Sequence, residues 1–158
     1  MIKENKIIRN FKLPSTSGKS FELYGNLKKN LVIFVYPKDN TPGCTTESID
    51  FSKNYIKFKK LNTEIVGISK DTIESHLKFK KKYNFPFNLI ADEKKKLIKM
   101  LGAWGEKTLY GKKFMGVKRT TVLIGRNKKV LKIWNNVKVK KHVEDVLNFI
   151  KANLALTQ

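Results

Sequence analysis

Residues 31–47 read LVIFVYPKDNTPGCTTE, and this stretch decides the fold. Its first six residues are apolar, rich in β-branched and aromatic side chains and free of polar alternation, which predicts a central parallel strand covered on both faces. The turn-forming residues 40–43 then predict a loop. From Cys44 to about Lys60 the apolar spacing becomes helical, and acidic residues near its start and lysines near its end suit the helix dipole. The short apolar run 64–69 completes a βαβ unit.

The same alternation of strand and helix patterns extends towards both ends of the chain. It predicts a front hairpin (11–13 and 21–23), a helix (72–83), a short strand (87–90), a helix (92–101), a basic loop (105–116), a second hairpin (117–124 and 130–134) and a last helix (139–154). The chain is therefore expected to form a single α/β domain over residues 1–158, with a central mixed β-sheet flanked by helices and an N-terminal β-hairpin.

The charge of the chain is strongly unbalanced, with 34 Lys and Arg against 13 Asp and Glu and a formal net charge of +21. Such a field attracts polyanions and anionic membrane surfaces. The basic residues, however, are spread from Lys3 to Lys151 between apolar positions, which is typical of solvated faces. A nucleic-acid partner is therefore not favoured, and a basic nucleic-acid-binding module is kept as the alternative function.

The distribution of apolar residues bears on the location of the protein. No apolar run approaches the roughly 18–20 residues that cross a bilayer. The charged start, Met1 to Lys6, is not followed by the apolar segment of a secretion signal. We therefore expect no membrane partner and a cytoplasmic location.

The chain has one cysteine, Cys44, which excludes an intrachain disulfide, a four-cysteine zinc site and a Cys-x-x-Cys redox pair. Cys44 is therefore inert and buried, joined to another chain, or reactive on its own. A thiol at the start of a helix meets N–H groups without intrahelical acceptors and the positive end of the dipole, which favour the thiolate. The polar neighbours of Cys44 also favour a reactive role. We expect no metal and no cofactor.

Three residues in this segment match a known signature. Pro37, Thr41 and Cys44 fit the Pro-x-x-x-Thr-x-x-Cys pattern of the peroxiredoxins, and the string from Tyr36 to Glu47 resembles the bacterioferritin-comigratory, or Q-type, subfamily. The similarity extends to residues 116–120, where that family carries its active-site arginine on a strand. The resemblance covers nearly the whole chain and implies a thioredoxin-like fold.

The resemblance also implies a thiol-dependent peroxidase that acts on hydrogen peroxide and organic hydroperoxides. The thiolate of Cys44 would attack the peroxide and become a sulfenic acid. The Thr41 hydroxyl, the N–H groups of Gly43 and Cys44, and the Arg119 guanidinium would donate hydrogen bonds to the reacting oxygens. We expect the sulfur at the mouth of a shallow cleft, with the guanidinium facing it.

Further roles follow from the same resemblance. Pro37 would shield the pocket from water, and Glu47 would orient Arg119. Many members of the subfamily carry a second, resolving cysteine five residues after the first, where this chain has Ile49. Others carry it in the next helix, and this chain has none there. An external thiol, either thioredoxin or glutaredoxin with glutathione, would therefore recycle the enzyme, which is expected to be a monomer or a weak dimer.

Overall fold

The computed structural model of the protein describes residues 1–153, so Leu154, where the last helix was predicted to end, lies outside the described residues. The strands are β1 (Lys12–Pro14), β2 (Ser20–Glu22), β3 (Asn30–Val35), β4 (Thr63–Ser69), β5 (Asn88–Ala91), β6 (Trp104–Leu109), β7 (Lys112–Val117), β8 (Thr120–Ile124) and β9 (Val130–Trp134). The helices are α1 (Leu23–Asn26), α2 (Pro42–Lys53), α3 (Tyr55–Lys60), α4 (Ile73–Tyr83), α5 (Lys96–Met100) and α6 (His142–Asn153). Within residues 1–153, no helix combines the length and the hydropathy that a membrane span requires.

The central sheet has five strands in the order β5-β4-β3-β8-β9, with β1 paired to β2 and β6 paired to β7 in two small separate sheets. The β3, β4 and β5 strands run parallel, whereas β8 runs antiparallel to both β3 and β9. The mixed sheet and the N-terminal hairpin predicted from the sequence are therefore confirmed. The pairing of Val35 with Thr120 brings the start of β8 beside the carboxyl end of β3.

The apolar run of β3 explains why this strand lies in the middle of the sheet. Leu31, Ile33 and Val35 pack into one apolar cluster, while Val32 and Phe34 pack into a second cluster. Alternate side chains of a strand point to opposite faces of the sheet, so the two clusters cover its two faces. A strand buried on both faces has no position for a polar side chain, which is why the run shows no alternation.

The predicted helix over 44–60 is in fact two helices. It begins earlier, at Pro42, and is interrupted at Asn54, which ends α2 and precedes α3. Pro42 at the first helical position loses nothing, because an N–H group there has no intrahelical acceptor. The predicted helix over 92–101 is also shorter. Lys95 precedes it in a left-handed conformation, and Asp92 caps it from three residues further back, because the Asp92 carboxylate accepts from the N–H of Ile98 in the first turn.

The predicted basic loop over 105–116 is wrong. These residues form most of the antiparallel hairpin β6–β7, with Tyr110 and Gly111 as its turn. The predicted strand over 117–124 is correspondingly divided, because Val117 ends β7 and Thr120 begins β8. Arg119 therefore lies in the connection just before β8 rather than on a strand. Its carbonyl accepts a hydrogen bond from the N–H of Val137, a contact made outside the sheet.

Candidate active site

Cys44 is the third residue of α2, at the point where the chain leaves β3 and turns into the helix. The N–H of Thr45 donates to the carbonyl of Thr41, which is the first hydrogen bond of the helix. The N–H groups of Gly43 and Cys44 therefore precede any intrahelical acceptor and point out of the helix start. The structure therefore places Cys44 in the first turn of the helix, at the positive end of the helix dipole.

Arg119 faces Cys44 from a segment 75 residues further along the chain. Its Nη2 lies 3.5 Å from Sγ of Cys44, within hydrogen-bond distance for sulfur. The antiparallel register of β3 and β8 produces this contact, because it places the residue before Thr120 beside the end of β3. Burial opposes the charge of the guanidinium, but Glu47 and Cys44 favour it, so the pKa of Arg119 is raised above its ordinary value.

Glu47 binds the second terminal nitrogen, Nη1, of the Arg119 guanidinium. It lies one turn after Cys44 on α2, and its Oε1 accepts a hydrogen bond of 2.8 Å from Nη1 of Arg119. The side chain of Glu47 is completely buried, and its Oε2 has no hydrogen-bond partner among the described residues. Burial raises the pKa of Glu47 from 4.5 to about 7, although Arg119 acts in the opposite direction. Glu47 is therefore divided between its neutral and ionised forms near neutral pH.

Gly43 is required by the close approach of Arg119 to the helix start. A Cβ atom at position 43 would lie 3.2 Å from Nη2 of Arg119, closer than side-chain atoms normally come. A side chain at position 43 would require the guanidinium to shift by a few tenths of an ångström. The group that approaches the backbone closely at Gly43 is therefore the arginine side chain.

Thr41 occupies the N-cap position of α2, but its side chain does not cap the helix. Its hydroxyl donates a hydrogen bond of 2.8 Å to the carbonyl of Lys38. Because a hydroxyl has one proton, its oxygen is left as an acceptor towards other groups. This differs from the donor role expected from the sequence. Such an oxygen can instead accept a hydrogen bond from the O–H group of a hydroperoxide.

Pro37 and Arg119 line one surface cavity of about 370 Å³, together with residues at the base of the β6–β7 hairpin. A second cavity of about 510 Å³ is lined by Gly43 and the first turn of α2. Cys44 lines neither cavity and is only 1% exposed. The sulfur therefore does not sit at the mouth of a cleft, as expected, but just below the surface. It packs against the apolar cluster on one side and against the guanidinium on the other.

A buried polar network beneath the loop was not predicted from the sequence. Asp39 accepts hydrogen bonds from the hydroxyls of Tyr36 and Ser75, and its Oδ2 lies 2.7 Å from Nδ1 of His76. Nε2 of His76 lies 2.9 Å from the carbonyl oxygen of Ile90, which can only accept, so Nε2 carries a proton. The network ties the loop after β3 to α4 and β5. The position of Asp39, between Pro37 and Thr41 of the signature, was the signal that could have indicated it.

The two histidines of the chain are accounted for by these contacts. His76 bonds to Asp39 rather than to Cys44, which argues against a cysteine–histidine hydrolase. His142 lies 2.7 Å from the Thr121 hydroxyl, and burial lowers its pKa to about 4. Asp39, Asp71 and His76 also bring three possible ligand atoms together. The 2.7 Å between two of them indicates a shared proton, because ligands of one tetrahedral zinc ion lie about 3.3 Å apart.

The chain is similar in sequence and fold to proteins of one family. The family model described as AhpC/TSA family matches residues 5–133. Peroxiredoxin Bcp of Bacillus subtilis (strain 168) is 41% identical over 139 residues, which cover 88% of each protein. Among solved structures, the bacterioferritin comigratory protein of Xanthomonas campestris, described for its alkyl peroxide reduction activity, has a TM-score of 0.86 at 36% identity, covering 91% of this chain and 92% of that one. A PrxQ mutant of Xylella fastidiosa has a TM-score of 0.90 at 33% identity, covering 96% and 97% of the two chains. The predicted thioredoxin-like fold is confirmed by these matches.

Proposed function

This chain belongs to the AhpC/TSA family and is a peroxiredoxin, a thiol-dependent peroxidase, and we propose that Cys44 is its peroxidatic nucleophile. One observation carries the proposal. The Arg119 guanidinium lies 3.5 Å from the sulfur of Cys44, at a helix start whose N–H groups have no helical acceptors. A cation and oriented N–H groups around one sulfur favour the thiolate, which is the reactive form.

The arrangement suits transfer of one oxygen atom from a hydroperoxide to sulfur. The thiolate of Cys44 attacks the distal oxygen, an S–O bond forms, and the O–O bond breaks. The electron pair leaves with the other oxygen, which takes up a proton to give water or an alcohol. Negative charge builds on both oxygens as the bond breaks, and Arg119 and the N–H groups of Gly43 and Cys44 are placed to stabilise it. The Thr41 oxygen accepts a hydrogen bond from the O–H group of the hydroperoxide and so orients it.

Pro37 and Glu47 act on this reaction indirectly. The Oε1 of Glu47 fixes one arm of the Arg119 guanidinium, which leaves Nη2 directed at the sulfur. Pro37 has no N–H group to offer to water and forms part of the wall beside Arg119. We propose that a hydroperoxide enters from this cavity, and that a small opening of the α2 start exposes the buried sulfur to it.

We propose both hydrogen peroxide and organic hydroperoxides as substrates. The alkyl peroxide reduction described for the Xanthomonas campestris relative supports the organic class. The sequence has a single cysteine, so no intrachain thiol can form a disulfide with oxidised Cys44. Recycling then requires two thiol groups from outside the chain, which become a disulfide as the sulfenic acid returns to a thiol and releases water. Thioredoxin, or glutaredoxin with glutathione, would supply these thiols.

We further propose that residues 1–158 act as one catalytic domain, as a monomer or a weak dimer. The described elements that carry the site support this view. Both β3 and β8 belong to the same five-stranded sheet, and each contributes one end to the cysteine–arginine pair. Size-exclusion chromatography coupled to light scattering, repeated over a range of concentrations, tests the oligomeric state.

The decisive experiment follows peroxide consumption under single-turnover and steady-state conditions. Reduced protein without added thiol should consume about one equivalent of peroxide, and dimedone should then label Cys44. The Cys44→Ser variant, which differs by one atom, should consume none. In the steady state, thioredoxin with its reductase and NADPH is compared with glutathione and glutaredoxin. An absence of dimedone label in folded, reduced protein would refute the proposal, and sustained turnover without added thiol would refute the external recycling.

A further inference from the structure

The β6–β7 hairpin carries an unusual concentration of exposed apolar side chains. Its two strands pair only with each other and stand apart from the central sheet. Among the described residues, eight large apolar side chains are exposed, and four of them lie within residues 109–115. These four are Leu109 (56% exposed), Tyr110 (96%), Phe114 (45%) and Met115 (56%). The other four are scattered over distant elements, so the hairpin is the place where exposed apolar groups are clustered.

The register of the hairpin combines apolar and basic groups on one face. Lys107 is paired with Phe114, and Leu109 is paired with Lys112. Paired residues, and residues two apart on a strand, point to the same side of a sheet, so these four side chains share a face. Tyr110 stands at the end of the hairpin beyond them. The ammonium of Lys107 donates a hydrogen bond of 2.9 Å to the carbonyl of Val117. One face and the tip therefore offer three apolar groups beside Lys112.

The turn residue indicates that the exposed tyrosine is not needed for folding. Tyr110 and Gly111 both have positive φ, at 51° and 77°, as a two-residue turn between antiparallel strands requires. Asn or Asp is preferred at the first of these positions, and a bulky side chain there is an outlier. A tyrosine that is both unfavourable for the turn and almost fully exposed contributes little to stability. Such an outlier at a surface points to a function.

The residues of the hairpin and its flanks carry a net positive charge. Residues 104–118 contain four lysines and one glutamate, which gives a net charge of +3. The glutamate, Glu106, lies 3.8 Å from Lys113, so its charge is offset locally. The field of the whole chain, with a net charge of +21, reinforces the same preference for an anionic partner.

We propose that the β6–β7 hairpin docks the protein onto an anionic lipid bilayer. Leu109, Tyr110 and Phe114 enter the interface, where tyrosine is favoured, and Lys112 contacts the acidic headgroups. The aliphatic side chain of Leu109 favours a bilayer over a nucleic acid, because it can enter lipid but offers no aromatic ring on which a base can stack. The proposal departs from the expectation of no membrane partner, which rested on the absence of a membrane-spanning run. It is independent of the peroxidase proposal.

The docking surface adjoins the candidate active site. Lys107 and Thr108, in the second half of β6, line the cavity that also contains Arg119. Tyr110 at the tip is three positions beyond Lys107, a distance of about 10 Å along an extended strand. Docking through the tip therefore holds this cavity close to the lipid headgroups. The surface and the cavity are nevertheless formed by different side chains, so they can be changed separately.

Co-sedimentation of the full chain with lipid vesicles tests the proposal. Vesicles of phosphatidylcholine alone are compared with vesicles that also contain phosphatidylglycerol, at low and high salt. We expect binding to the anionic vesicles only, with a loss of at least tenfold in the Leu109→Ser/Phe114→Ser variant and at high salt. The matched control is Ile56→Ser/Leu77→Ser, which removes exposed apolar groups elsewhere and should bind as the unchanged protein does.

Two charge-reversal variants distinguish the effect of the charge on the hairpin from the effect of the net charge of the whole chain. Lys112→Glu/Lys113→Glu on the hairpin should weaken vesicle binding much more than Lys57→Glu/Lys60→Glu, which makes the same charge change on α3. Equal losses in the two pairs, or no binding to anionic vesicles at low salt, would overturn the proposal. Vesicle binding that the Leu109→Ser/Phe114→Ser change leaves intact would also overturn it.

The same experiment would show whether the hairpin instead binds a nucleic acid or a protein reductant. If a DNA oligonucleotide binds more tightly than the vesicles do, and the Lys112→Glu/Lys113→Glu change weakens this binding while the Leu109→Ser/Phe114→Ser change does not, the surface is a nucleic-acid site and the proposal is wrong. If that variant binds vesicles normally but turns over peroxide slowly with a protein reductant, the hairpin docks the reductant instead. Hydrogen peroxide consumption in vesicle-free solution is measured for every variant. This separates a failure of docking from a failure of the peroxidase proposal.

Discussion

The buried carboxyl group of Glu47 gives the sharpest quantitative prediction. Replacing Glu47 by Gln retains an amide oxygen that can accept the hydrogen bond from Nη1 of Arg119. It removes the ability to ionise. Because burial raises the pKa of Glu47 to about 7, the folded protein keeps this proton at pH values where an unfolded chain has already released it. The stability of the two proteins must therefore depend differently on pH.

The sign and the size of the effect follow from the two pKa values. Below pH 4.5 the carboxyl group is protonated in both states, and its contribution to stability is fully present. Between pH 4.5 and about 7 the unfolded chain binds fewer protons than the folded protein, so stability falls as pH rises and then levels off. Each pKa unit corresponds to about 1.4 kcal/mol, so the total loss is about 3 kcal/mol. The Gln side chain undergoes no such loss.

The free energy of unfolding, measured by urea denaturation, provides the assay. It is determined for the unchanged protein and for Glu47→Gln at about pH 4.5, 6 and 8. We expect the stability of Glu47→Gln relative to the unchanged protein to rise by about 3 kcal/mol over this range. The difference is used because His142 acts in the opposite sense. Burial lowers the pKa of His142 to about 4, so its contribution is lost as pH falls from about 6.5 to 4.

The exposed Glu144 provides a matched control for the substitution at Glu47. Glu144→Gln makes the same chemical change on an exposed position of α6, and its difference from the unchanged protein should not vary with pH in this way. A Glu47→Gln difference that stays constant between pH 4.5 and 8 would mean that Glu47 remains ionised throughout. The cation of Arg119 would then outweigh the burial of the carboxylate, contrary to our reasoning.

Three other substitutions probe the site and the network beneath it. Arg119→Ala should slow peroxide consumption about 100- to 1,000-fold, because it removes the donor aimed at the sulfur; stopped-flow measurement tests this, with the exposed Arg126→Ala as control, and a normal rate would remove Arg119 from the site. Gly43→Ala should slow the same reaction roughly tenfold by displacing the guanidinium, while urea denaturation shows stability unchanged or raised by up to about 1 kcal/mol; an unaltered rate would show that the guanidinium has room to adjust. His76→Ala should cost about 3–5 kcal/mol of unfolding free energy by leaving Asp39 without its partner, and a loss below about 1 kcal/mol in urea denaturation would contradict the importance of this contact.

The parts of the fold that could be predicted are those encoded by short-range patterns. The strand β3 and the helix predicted over 72–83, which the structure has at Ile73–Tyr83 with Thr72 as its N-cap, could both be predicted from local residues. The β6–β7 hairpin was missed because its alternation is obscured by lysines and by exposed apolar groups. The break at Asn54 was missed because the apolar spacing continues through it.

Some residues of the candidate site can likewise be predicted from local sequence, and others cannot. Pro37, Thr41, Gly43 and Cys44 lie within eight residues, so a motif and the start of a helix suffice to identify them. The choice of Arg119 from the sequence depended on the family resemblance, since nothing local distinguishes it among so many basic residues. Neither the complete burial of Glu47 nor the pairing of Asp39 with a histidine on another helix is visible in local patterns.

Most of the strands and helices, though not the β6–β7 hairpin, and the start of a helix at the lone cysteine could be predicted from local residues, because they depend on the periodicity and chemistry of neighbours. Which cation meets that cysteine, and how deeply the sulfur is buried, is fixed only when the chain folds. Both depend on the antiparallel register of β3 and β8, which joins residues 75 positions apart and is stabilised by the packing of the whole sheet. Such long-range contacts are a property of the assembled core and not of any single segment.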